Sequence, residues 1–277
     1  MSPFVRRFLR HRLAVVSVVV LVLLAAACAG AAWLAPFAHN HQDLALGPVG
    51  PRRAHWFGTD ELGRDELSEL LYAGRITLLI GLGVALLSTV IGTVVGATAG
   101  YAGRWADQVL MRMTDLFLVV PSIAVLAVGI KRFGHGQATI VVVLAAVGWM
   151  YMARIVRAQV VSIKAQDYVD AARASGASPV RVVVRHVLPN VIGPIVVHAT
   201  LAVAGAVVVE SSLSFLGFGV QSPDTSWGRM LADARGTVGT STSYLIWFPG
   251  LALLLTILAV NYLGDGLRDA FDPKGER

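Results

Sequence analysis

The chain is 277 residues long, with 56% hydrophobic residues, only 14% charged residues and a mean hydropathy of +0.68. A soluble domain of this length needs more polar residues to cover its outside, so the composition excludes an ordinary soluble fold and leaves an all-α polytopic membrane protein with lipid as its main solvent. The single cysteine, Cys28, excludes an internal disulfide framework and a thiolate cluster, and the net charge of +6 is scattered between apolar runs, which points to membrane topology rather than to nucleic acid.

A hydrocarbon layer about 30 Å thick takes roughly 20 apolar residues as helix. Six stretches qualify: residues 13–34, 76–100, 114–130, 138–155, 191–209 and 244–263. With the N-terminus inside, only eight of the 23 Lys and Arg fall in outer segments (Arg52, Arg53, Arg64, Arg75, Lys131, Arg132, Arg229 and Arg235). Basic residues are retained on the cytoplasmic side, so both termini are expected there. Residues 1–72 then form an N-terminal tail, first span and outer loop, 73–267 the core transmembrane domain, and 268–277 a cytoplasmic tail.

Along the first span, Arg6 to Arg12, an apolar run and Ala25-Ala26-Ala27-Cys28 loosely imitate a lipoprotein signal. The run continues through Ala29 to Leu34 and lacks a branched apolar residue at Ala25, so an anchor fits better. In the outer loop that follows, His39 and His41 form an HxH pair without clear further metal ligands. The second span carries Gly92, Gly96 and Gly100 at spacing four, a face that lets another backbone approach closely, either as static packing or as a sliding surface. Pro121, Pro194 and Pro249 are placed near span ends or in first turns, where a missing N–H costs least. His198 in the fifth span and Glu210 at its outer end are ionisable at depth. Such groups face a cavity or a partner helix, which makes both candidates for a cargo path; an interhelical hydrogen bond for His198 and an interfacial cap for Glu210 are the simpler alternatives.

The long inner segment, residues 154–188, is expected to be helix, turn, helix: Asp167 to Ser175 are helix formers, Gly176 breaks them and Pro179 suits a new start. Ala171, Ala172 and Gly176 are small enough for a partner to close over them, and Arg173, Arg181 and Arg185 offer charge to an acidic groove. An amphipathic loop lying on the inner leaflet is the plainer alternative. No Walker A loop, HExxH or GxSxG occurs in the chain.

These residues carry a resemblance. Asp170-Ala171-Ala172-x-x-x-Gly176, followed after nine residues by His186-Val187-Leu188-Pro189-Asn190, resembles the EAA loop of ABC importer permeases. Phe57-Gly58-Thr59-Asp60-Glu61-Leu62-Gly63-Arg64-Asp65, Leu213-Ser214-Phe215-Leu216-Gly217-Phe218-Gly219-Val220-Gln221 and the ending from Asn261 to Pro273 are similar to the C-type permease subunit of dipeptide, oligopeptide and nickel importers. Asp170 stands where Glu is commoner and His186 where an apolar residue is commoner; the first keeps the charge, and the second is at home among peptide permeases.

The resemblance implies a non-catalytic transmembrane subunit of the prokaryotic plasma (inner) membrane, forming half of a translocation pathway with a second, homologous permease. Asp170, Ala171, Ala172, Arg173, Gly176, His186, Leu188 and Pro189 would dock on one or two cytoplasmic ATPase subunits, which hold ATP and Mg; the chain itself would bind no cofactor and no metal. On the outside, Asp60, Arg64, Asp65, Phe215, Phe218 and Gln221 would contact an extracytoplasmic substrate-binding protein or form a gate; alternatively Asp60, Arg64 and Asp65 only cap and pair within their loop. Peptide is the favoured cargo and nickel the leading alternative. Two rival classes make different demands on the chain. A membrane enzyme would need His198, Glu210 and Asp115 as acid and base groups, and a secondary transporter would need inverted repeats and broken mid-membrane helices, neither of which the sequence reveals.

Overall fold

The computed structural model describes residues 3–271; the expected tail residues 272–277, with Lys274 and Arg277, lie outside the described part. Among the described residues there are helices and two isolated bridges but no strand. Five helices among the described residues are long and apolar enough to cross a membrane, and one bent helix pair is apolar enough to make a sixth crossing if it counts as one span.

A short helix, α1 (Pro3–Arg10), leads into α2 (Arg12–Ala29), which ends in a turn at Gly30 and the four-residue α3 (Ala31–Leu34). After the outer loop, α4 (Glu66–Ala102) starts ten residues before the apolar run does. The reason is a cap that hydropathy does not show: the Asp65 carboxylate accepts from the Ser68 amide at 2.9 Å, satisfying a free N–H of the first turn.

The third span departs from expectation. Residues 114–130 are not one helix: α5 (Arg104–Val119) and α6 (Ser122–Phe133) meet at an angle of 87°. Pro121 is therefore not near a span end but at the break, and it disfavours helical geometry in the residue before it; Val120 is extended, at φ −75° and ψ 133°. The chain thus contains a broken helix pair that the sequence did not disclose.

α7 (Gln137–Lys164) packs along α4 through the glycine face. A Cβ on Gly92 would lie 2.6 Å from Cβ of Met152, one on Gly96 2.4 Å from the Ala153 carbonyl, and one on Gly100 2.9 Å from the Arg157 carbonyl. The expected close-approach face is present, with α7 as its partner. The inner segment follows as α8 (Asp167–Ala174) and α9 (Pro179–Val182), then one π-helical turn (Val183–Val187) that runs straight into α10 (Leu188–Phe215). The wide turn stands where Pro189 has no N–H to donate. Because the helix begins upstream at Pro179, Pro194 sits inside it rather than in a first turn. A loop, α11 (Trp227–Asp233) and a 3-10 turn lead to α12 (Tyr244–Phe271), which contains Pro249 near its start.

Three apolar clusters hold the bundle. One joins α4, α6, α7 and α10 around Ile80, Ile130, Ile140 and Leu213. Another lies at the inner end around Val156, Val160, Val169, Val182 and Val187. The last joins α2, α4, α11 and α12 around Cys28, Ala73, Trp227 and Leu253.

Candidate functional site: an inner docking helix and an outer locked loop

At the end that the distribution of basic residues assigns to the cytoplasm, here the inner end, α8 is short, so its own hydrogen bonds cannot hold it; tertiary anchors do. Val169 is fully buried against the Val156, Val160, Val182 and Val187 cluster, and Ala172 and Leu188 pack on its edge. Gly176 closes the helix with φ +81°, a left-handed conformation that disfavours any side chain. The rest of the element faces outward: Asp170, Ala171, Gly176 and Pro189 are exposed, and Arg173 and His186 are half-buried.

Tyr101, at the end of α4, fixes the position of α8. The Arg173 guanidinium lies 5.2 Å from the Tyr101 ring centroid and Nε donates to its hydroxyl at 3.4 Å, while Lys164 Nζ sits 5.5 Å from the same centroid. Arg173 also pairs with Asp170 at 2.9 Å. The Tyr101 hydroxyl first, and Asp170 after it, hold the Arg173 guanidinium above its ordinary pKa, slight burial working against them. Behind this element, Arg157 of α7 makes a two-point pair with Asp107 of α5, and Arg154 reaches Asp115 at 2.5 Å. Sequence reasoning missed Val169, Tyr101 and these pairs. The apolar spacing of Val169 with Ala172 was the only available signal for the first; the pairs lie too far apart in sequence to give one.

The expected path residues separate. His198 lines a cavity of about 400 Å³ between α4, α7, α10 and the broken α5–α6 pair, whose walls include Ser88, Phe117, Tyr151 and Gly205. Glu210 does not reach it. Its side chain is fully buried, and Oε1 accepts from the Ser214 hydroxyl at 2.7 Å and the Ser226 hydroxyl at 2.8 Å. A buried carboxylate needs such donors, and Ser226 among them staples the segment after α10 back onto α10. Asp115 is likewise elsewhere, paired with Arg154. The three groups an enzyme would need are not brought together.

At the outer end the polar groups turn inward. Asp60 accepts from the Leu62 and Arg64 amides at 2.9 Å each, and its other oxygen takes Arg64 Nε at 2.6 Å. Burial works against the Arg64 charge, but Asp60 more than offsets it and raises the guanidinium pKa. Asp65 is 3% exposed; besides capping α4 it lies 2.9 Å from His55 Nδ1. Asp65 therefore caps and pairs within its own loop and is not presented at the surface. The Tyr244 hydroxyl lies 2.9 Å from the Val49 carbonyl and 2.6 Å from the Thr59 carbonyl, and Phe57 stacks on Phe248 at 4.0 Å, so the loop is bolted to α12. Trp227 of α11 packs on α4 at Gly74, beside Cys28 of α2, its Nε1 donating to the Leu70 carbonyl at 2.9 Å. Of the second loop's expected contacts, Phe215 is exposed, Phe218 packs into the core and Gln221 is held by Gly217 and Arg229. His39 and His41 do not pair: His39 tilts on Tyr72 and His41 stacks on Phe37, and no metal-holding group occurs among the described residues.

Comparisons with known proteins identify the family and the fold. Residues 92–277 match the family described as binding-protein-dependent transport system inner membrane component, and residues 2–48 match the N-terminal transmembrane domain of oligopeptide transport permease C. The chain is 40% identical to the dipeptide transport system permease protein DppC of Bacillus subtilis, over 98% of this chain and 85% of that protein. It is 41% identical to the oligopeptide transport system permease protein OppC of Mycobacterium tuberculosis, over 97% of this chain and 93% of that protein. A solved structure of the MetNI methionine ABC transporter in inward-facing conformations shares the fold, with a TM-score of 0.58 at 20% identity, covering 73% of this chain and 96% of that one. The chain belongs to the family of binding-protein-dependent transport system inner membrane components, as a C-type permease of the peptide transport branch.

Proposed function

We propose that the chain is one half of the translocation pathway of an ATP-driven importer of dipeptides or oligopeptides. α8, with Asp170, Ala171, Ala172, Arg173 and Gly176, sits in a cleft on a cytoplasmic ATPase, and His186, Leu188 and Pro189 carry the motion into α10. ATP and Mg are held by the ATPase subunits, a second homologous permease completes the pathway, and a binding protein delivers cargo from outside. Both termini lie in the cytoplasm of a prokaryotic cell.

The observation that supports this reading best is the construction of α8. One buried valine and one tyrosine seat it, while a face of small and charged residues is left open at the end of a continuous helix, Pro179–Phe215, that runs past the cavity. A push on α8 is delivered to α9 and α10 as a rigid-body movement, because the valine cluster joins them. Alternating access then follows from two global states, with ATP inside and loaded binding protein outside each shifting the balance between them. The chain transmits work and performs no chemistry.

Reconstitution of the chain with its permease, ATPase and binding-protein partners in liposomes tests the reading. ATP-dependent uptake of a dipeptide or a short oligopeptide is the expected result. Uptake of nickel without peptide would keep the permease and replace the cargo, and no association with an ATPase would overturn the role of α8.

A further inference from the structure

On the outer side, away from the His198 cavity, a second cavity of about 360 Å³ lies between the 60–64 turn, the first turn of α4 and the segment from Ser222 to Thr237. Its lining is unbalanced in charge. The two guanidinium groups present are already engaged, Arg64 by Asp60 at 2.6 Å and Arg229 by Asp233 at 3.0 Å. Carboxylates remain. Glu61 is exposed at the mouth. Glu69 takes the Asn40 amide on one oxygen at 2.8 Å and lies 3.8 Å from His39 on the other. Glu66 is 4% exposed, and its Oε1 is buried with no hydrogen-bond partner. An acceptor buried and unmatched costs free energy unless a donor is supplied to it.

Part of the remaining wall is apolar, formed by Leu62, Met230 and Leu245; the rest includes Ser222, Thr225 and Asp224, the last taken up by Gln137 at 3.0 Å. Carboxyl groups beside an apolar wall suit a cation on an aliphatic stem, which lays its methylenes on the wall and its charge on the acids. A compact metal ion would need several ligands converging on one point, and no such group occurs among the described residues. Leu62 is 39% exposed at the rim, on the same loop as Trp56 at 67%, so an approaching protein surface would find apolar contact around the acidic mouth.

We propose that this cavity receives a lysine or arginine side chain of the extracytoplasmic binding protein, with Glu66 as its buried acceptor and Glu61 as its guide at the mouth. The proposal rests on the importer reading, which supplies that partner. The same ammonium or guanidinium chemistry could also come from free cargo peptide, so the test carries an arm for each source.

The assembled transporter is held in lipid nanodiscs, and binding of its cargo-free binding protein is titrated at low and at high salt, beside a titration with free peptide alone. Glu66→Gln should weaken binding-protein affinity at least about tenfold. Glu61→Lys, at an exposed position that does not endanger folding, should slow association and flatten its salt dependence. Unchanged affinity and salt dependence in both variants would overturn the proposal while leaving the importer reading intact. Loss of free-peptide binding, with binding-protein affinity unaltered, would overturn it in favour of a cargo site. A wild-type assembly that binds no binding protein at all would remove both.

Discussion

The two ends of this molecule are built on opposite plans. At the inner end, α8 rests on Val169 and Tyr101 and turns Asp170, Ala171 and Gly176 outward. At the outer end, the polar side chains turn inward: Asp65 and Glu210 are buried, and Tyr244 and Trp227 donate to backbone carbonyls of distant segments. The inner element is lightly seated and open, as the proposed docking on an ATPase requires, while the outer loop is closed by buried polar ties. Stability and function should therefore separate along the membrane axis.

The largest loss of stability is expected at the outer lock. Trp227→Ala removes a side chain that is 1% exposed and its hydrogen bond to Leu70, which should cost about 3–5 kcal/mol and lower the unfolding temperature of the purified protein sharply. Glu210→Ala leaves the Ser214 and Ser226 hydroxyls without their acceptor and should cost about 2–3 kcal/mol. Protease cleavage within residues 217–226 would report the loosened segment directly. Tyr244→Phe keeps the ring and its packing and deletes the hydroxyl that lies against Val49 and Thr59; about 1 kcal/mol is expected, with increased amide exchange in the outer loop. If these three variants rank in another order, the buried-tie account of the outer end is wrong.

The inner end should behave in the reverse way. Gly176→Trp forces a side chain into a left-handed conformation, but nothing lies within 4 Å of the new Cβ. The expected cost is only about 1–2 kcal/mol, yet ATP hydrolysis stimulated by a loaded binding protein should be lost, because the added indole stands on the open face. A variant that unfolds instead would show α8 to be part of the core rather than a presented element.

The sequence made the inner end legible because its signals are local. A run of helix formers, a glycine at a helix end and a proline at a helix start lie within a dozen residues of one another, and all three appear where they were expected. The glycine face of α4 was legible for the same reason, since its period of four is written in one segment. The outer end was not, because its ties join residues far apart in the chain: Glu210 to Ser226, Tyr244 to Val49, Trp227 to Leu70. No hydropathy window contains both members. For Glu210 the sequence shows depth alone, which leaves a path role and an interfacial cap both open; its hydrogen-bond donors are Ser214 on the same helix and Ser226 in the next loop. The break at Pro121 was missed for a related reason. Apolar residues continue on both sides, so hydropathy reports a single span where backbone geometry gives two helices at 87°.

If α8 faces the cytoplasm under an ATPase and the loop before α4 faces out, one thiol at each end will report it. In a Cys28→Ala background, Ala171→Cys and Leu44→Cys place one thiol at each end, the second at a position 71% exposed. A membrane-impermeant maleimide applied to intact cells should label Leu44→Cys only. Ala171→Cys should react after permeabilisation and become protected when the ATPase subunits assemble. Labelling of Ala171→Cys from outside intact cells, or reactivity indifferent to the ATPase, would contradict the account.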